Sequence, residues 1–152
     1  MAIAEVLEFE VADPAAQAEL TMHDAIGLLG TLSDQAALAL SDRFQSQLQA
    51  FDAEAIAGCI ASGANPRQAE DLAGRGTTRT SAEAKRRAGR ARAVHINPDL
   101  GRELATGELG SAGLDAIASA ADRSDGVAAT DIALIETIKA SNPDDARKIA
   151  SD

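Results

Sequence analysis

The densest run of chemically capable side chains in this sequence is Arg79, Thr80, Ser81, Lys85, Arg86, Arg87, Arg90 and Arg92. Cations grouped along one helix displace counterions from phosphates, and an arginine can take a guanine edge bidentately where its helix enters the major groove. Lys85, Arg86, Arg87, Arg90 and Arg92 are therefore expected to hold phosphates of double-stranded DNA. Arg79, Thr80 and Ser81, at the helix start, are expected to approach bases.

No other residues reach that level. A metal-dependent nuclease needs a general-base histidine and further ligands on a ββα hairpin, and the only histidines are His23 and His95. The pair His95 and Asn97 falls at a helix boundary, so His95 reads as a C-terminal histidine favoured by the helix dipole. His23 reads as an exposed residue in the first turn of a helix. Gly74-Arg75-Gly76 has no strand before it and no Lys-Ser/Thr after it, which excludes a phosphate-binding loop by pattern. Cys59 is the single cysteine; it forms no internal disulfide and reads as a small buried apolar residue. No catalytic set, metal site, cofactor or small-molecule substrate is expected.

The elements that must position the basic run are all helical by pattern. Apolar residues make up 45% of the chain and aromatic residues 2%, with no Trp or Tyr, so strand formers are scarce while alanine favours helix. A chain of 152 residues suits one compact domain with a helical extension. The net charge of -10 conceals segregation. Residues 1–64 carry ten acids against one base, residues 65–102 nine bases against four acids, and residues 103–152 ten acids against four bases. A basic island thus sits between acidic arms. No apolar run reaches membrane-spanning length and no signal peptide is visible, so the expected location is cytoplasmic.

Residues 1–20 read as a loosely ordered leader or short helix ending near Asp13-Pro14. Residues 21–64 read as an acidic helical segment, with Thr21 as an N-cap and a long amphipathic helix reaching about Ala61. Its stripe of Ala37, Leu40, Phe44, Leu48, Phe51, Ala55 and Cys59 must lie against other helices, in this chain or in a second copy. Residues 65–152 read as a basic-centred, helix-turn-helix-like domain packed with 21–64 as one unit. Asn65-Pro66 starts a short helix, Gly74 to Thr78 turn, and Thr80-Ser81-Ala82-Glu83 forms a capping box for the basic helix. Asn97-Pro98-Asp99, Ser111, Ser124-Asp125-Gly126 and Asn142-Pro143 mark the later boundaries. The last helix stops within about two turns of its start, as expected of a truncated or processed chain.

Over residues 66–152 the sequence resembles the 13E12 repeat family, also catalogued as domain of unknown function 222. The likeness is carried by Leu72-Ala73 before the Gly/Thr turn and by Thr80-Ser81-Ala82-Glu83-Ala84-Lys85-Arg86-Arg87-Ala88-Gly89-Arg90-Ala91-Arg92. Asn97-Pro98 and Leu104-Ala105-Thr106-Gly107-Glu108-Leu109 follow in order. The resemblance implies a domain of the kind that precedes an HNH endonuclease domain, here without the nuclease part. Residues 104–118 also look like the helix-turn-helix of ParB-type partition proteins. The chain departs from the family in having Gly110 and Gly113 where Ser and His are common, and Asp115 where a base is common. That second unit is accordingly expected to be structural.

Two functions stay open on sequence. One is a non-catalytic DNA-binding or DNA-positioning domain. The other is a helical interaction or dimerisation module, in which the long helix pairs with a second copy or a basic partner and the basic helix is neutralised by the acidic N-terminal segment.

Overall fold

A computed structural model describes residues 13–75 and 80–151. The described residues are all-helical, with eight α-helices and one 3₁₀ turn. The chain divides into two compact units, residues 1–41 and 42–152, and the division falls inside a helix.

In the first unit, α1 spans Pro14–Leu29. Asp13 caps it by accepting from the Ala15 N–H at 3.1 Å, and proline at the first helical position is pre-set for the helix. The helix therefore begins seven residues before the expected cap at Thr21. Thr21 lies mid-helix, its hydroxyl donating to the Gln17 carbonyl, and His23 falls in the interior of α1 rather than its first turn, though exposed as expected. Of the expected leader, residues 1–12 lie outside the described residues. No residue of α1 is buried.

α2 runs unbroken over Asp34–Ala61, as its periodicity predicts. The face it buries differs from the predicted one. Ala50, Ala53, Ile56 and Ala57 are buried, while Leu48, Phe51, Ala55 and Cys59 are exposed. Phe51 and Ala53 are two residues apart, roughly 200° around the helix axis, so α2 is apolar on two opposite sides. On the inner side Ile56 packs with Ala69, Ala73, Ala88 and Ala91.

The second unit continues with α3 (Pro66–Gly74), α4 (Ser81–Ile96), α5 (Asp99–Thr106), α6 (Ser111–Arg123), a 3₁₀ turn at Val127–Ala129, α7 (Ile132–Lys139) and α8 (Pro143–Ile149). At α3, α4 and α8 the caps fall on the expected Asn65, Thr80 and Asn142, whereas α5 and α6 start without a side-chain cap and α7 is capped by Asp131, beyond the expected Ser124-Asp125-Gly126 boundary. Asn65 and Gln68 form a reciprocal capping box at α3, Asp131 caps α7, and Asn142 accepts from both Asp144 and Asp145 at α8. α5 ends at Gly107, whose φ of +83° is a left-handed conformation open to glycine at little cost.

α6 is the hub. It packs against α4, α5, α7, α8 and the 3₁₀ turn, and buries Gly113, Leu114, Ala116, Ile117, Ala118, Ala120 and Ala121. Leu100, Leu104, Leu109, Leu114 and Ile117 are the largest fully buried side chains. No described helix is long and apolar enough to cross a membrane.

Candidate nucleic-acid interface

The basic helix α4 is held on two sides. Its Ala88 and Ala91 face α2 and α3, its Ala93 and Val94 enter the main core, and Gly89 brings it close to Ala118 of α6. Thr80 starts it by accepting the Glu83 N–H at 3.3 Å.

Burying those positions on a helix this rich in arginine forces several guanidinium groups inward, and each finds a carboxylate of its own chain. Arg87 binds both oxygens of Asp52 on α2, with Nε to Oδ2 at 2.6 Å, and also donates to the Ala73 carbonyl at the end of α3. The Asp52 carboxylate holds Arg87 still further toward its charged form, against the opposing effect of burial. Arg90 forms a two-point pair with Asp115 on α6, at 2.6 and 2.9 Å. Arg92 pairs with Asp122, at 3.0 Å. Planar two-point arginine–carboxylate pairs fix orientation as well as charge.

The expected row of phosphate contacts is thus divided. Arg87, Arg90 and Arg92 bind the fold together, whereas Lys85 and Arg86 are exposed and make no hydrogen bond or ion pair among the described residues. Ser81 is exposed at the helix start, Thr80 has its hydroxyl in the cap, and Arg79 lies outside the described residues. Neutralisation from within is also divided: Asp52 belongs to the acidic N-terminal segment, but Asp115 and Asp122 come from α6.

Two further cations join the outward pair. A groove of about 530 Å³ between α4, α6 and α8 is lined by Lys85, Arg86, Arg123 and Arg147, with Asp115 and Asp122 at its base. Both acids are already engaged by Arg90 and Arg92, so the groove presents a surplus of positive charge. Arg123 is held by Ser119 Oγ at 2.8 Å and by the Ala150 carbonyl. Arg147 is exposed and without a side-chain partner among the described residues. Sequence reasoning misses Arg123 and Arg147 because each reads only as a basic residue near a helix end. Their nearness to α4 is a tertiary fact.

The second helix-turn-helix has another character. α5, the turn at Gly107 and α6 follow the expected order, but α6 is enclosed rather than presented. A Cβ at Gly113 would stand 2.8 Å from Leu109 Cδ1 and 3.2 Å from Ile138 Cγ2, so a larger residue requires those buried side chains to shift. Asp115 holds Arg90, a role a base could not fill.

Cys59, expected to be buried, is exposed. His95 is exposed in the last turn of α4, as its helix-end reading requires. Among the described residues no group of three His, Cys, Asp or Glu side chains is placed to hold a metal ion. No family model, curated protein or solved structure matches the chain.

Proposed function

We propose that this chain is a DNA-binding or DNA-positioning domain, resembling the front part of HNH-type endonucleases, with no catalytic role of its own. The observation that carries the reading is the convergence of Lys85, Arg86, Arg123 and Arg147 on one groove whose acids, among the described residues, are already paired. Such a surface suits a phosphate backbone, which rewards grouped cations independently of base sequence. α4 is the proposed recognition helix, and Ser81, exposed at its start, is the residue proposed to approach base edges. Any strand cutting would belong to a separate nuclease domain.

The test is fluorescence anisotropy of labelled duplex DNA at 50 and 200 mM salt. With about four phosphates neutralised, affinity should fall about a hundredfold between the two. Absence of binding at low salt would remove the proposal.

A second reading, self-association through the long helix, is favoured by a different observation. Leu48 and Phe51 are 50% and 70% exposed on the outer side of α2, where a lone helix would leave them in water.

A further inference from the structure

The cations of the groove come from three helices: Lys85 and Arg86 from α4, Arg123 from α6 and Arg147 from α8. Cations set along one helix follow a line of phosphates, whereas cations set around a hollow converge on one group. Gly89, Ala116 and Ala118 line the hollow between them, and no aromatic ring does so among the described residues. A base therefore finds no stacking partner there.

What the hollow offers is donors. Arg123 donates to Ser119 Oγ and to the Ala150 carbonyl, and its other guanidinium N–H groups have no partner among the described residues. Ser119 Oγ accepts from Arg123 at 2.8 Å and gives its own proton to no acceptor among the described residues. Ser151, by contrast, spends its proton on the Arg147 carbonyl at 2.7 Å. The acceptors are occupied too: Asp115 holds Arg90 and Asp122 holds Arg92. A site that donates and does not accept suits a group that accepts and does not donate. Near neutral pH a phosphomonoester meets this with about two negative charges on its terminal oxygens. A backbone diester carries about half that charge and one terminal oxygen fewer. A strand end or a small molecule can also enter a hollow, whereas the middle of a duplex lies across it.

We infer that this groove is a site for a phosphomonoester dianion, with Arg123, Ser119 and Arg147 as its donors and Lys85 and Arg86 completing the charge. The inference rests on the reading of the groove as a phosphate surface and adds which phosphate it takes. Two sources carry that group: the 5′-phosphorylated end of a DNA strand, and a free small phosphate.

Methyl phosphate and dimethyl phosphate are the probes. Each is titrated into the isotope-labelled full chain at about pH 7.5 and constant ionic strength, with amide and arginine side-chain resonances followed by NMR. Methyl phosphate should shift Ser119, Arg123 and Arg147 and bind at least about tenfold more tightly than dimethyl phosphate. Arg147→Ala, at an exposed position, should weaken methyl phosphate about fivefold and leave thermal unfolding unchanged. Lys148→Ala, exposed outside the groove, should change neither. Equal affinity for the two probes, or shifts with no focus on the groove, would overturn the inference. The source is read by anisotropy of one duplex prepared with 5′-phosphate or with 5′-hydroxyl ends. A gain of about fivefold from the phosphate, lost in Arg147→Ala, supports the inference with a DNA end as the source. Equal affinity of the two duplexes, with methyl phosphate still bound, supports it with a free phosphate as the source. Methyl phosphate in the groove while neither duplex binds at about 50 mM salt removes DNA binding and leaves the phosphate site standing.

Discussion

Two successive helix pairs, α3–α4 and α5–α6, differ in how far the second helix of each is enclosed. α4 is held on two sides, against α3, α5, α6 and the 3₁₀ turn, yet keeps Lys85 and Arg86 in solvent, while α6 packs against five elements and buries seven residues. A short helix followed by a longer one thus leaves cations in solvent on α4 and gives a largely enclosed helix in α6. What separates them is side-chain size and charge. α6 offers Leu114 and Ile117 to the core and commits Asp115 and Asp122 to the arginines of α4. The arginines of α4 and the carboxylates of α6 are two sides of one interface.

Breaking that division should have graded consequences. The largest falls on α6. Leu114→Ala removes a fully buried side chain and should cost about 3 kcal/mol in thermal or denaturant unfolding. Asp115→Ala comes next. It strands Arg90, whose side chain is 16% exposed in a pair with a 21% exposed partner, and should cost about 1 to 2 kcal/mol, while freeing a guanidinium beside the groove and raising DNA affinity. A smaller effect belongs to α7. Lys139 is raised above its ordinary 10.5 by Glu136 first and then by Glu103. A raised basic group stabilises the fold fully below its unfolded value, and that contribution is lost as pH rises through the higher folded value. Thermal stability should therefore decline slightly above pH 10.5, and Lys139→Met should reduce that component of the decline. Smallest of all, Lys85→Ala and Arg86→Ala should each change stability by less than about 0.5 kcal/mol. A larger loss in either would mean that the outward cations are structural after all.

The helix boundaries were legible because caps are local. Asn65-Pro66 and Asn142-Pro143 announce their helices within four residues, and the left-handed Gly107 marks an end, whereas the Asp131 cap of α7 went unread. The sides of the helices were less legible. In α2 the larger side chains marked a stripe, yet the core took Ala50, Ala53, Ile56 and Ala57 and left Leu48 and Phe51 exposed. On α4, periodicity identified Ala88 and Ala91 correctly. It could not show that Arg87, Arg90 and Arg92 meet carboxylates 25 to 35 residues away. The acids themselves carried a hint: Asp115, standing where the resembled family favours a base, is one of the partners. Arg123 and Arg147 were out of reach for the same reason, since only the packing of α6 and α8 brings them to the groove.

The central claim is that the outward cations of α4 serve phosphates while the inward ones serve the fold. The most direct measurement is the salt dependence of duplex-DNA affinity for the wild-type chain, for Lys85→Ala/Arg86→Ala, and for Arg102→Ala/Lys148→Ala. The last variant removes the same charge from exposed sites outside the groove. The groove variant should lower the slope of log affinity against log salt by about 1.8, while the control stays within about 0.5 of wild type. Equal slopes for the two variants would contradict the claim, because affinity would then follow total charge and not the groove.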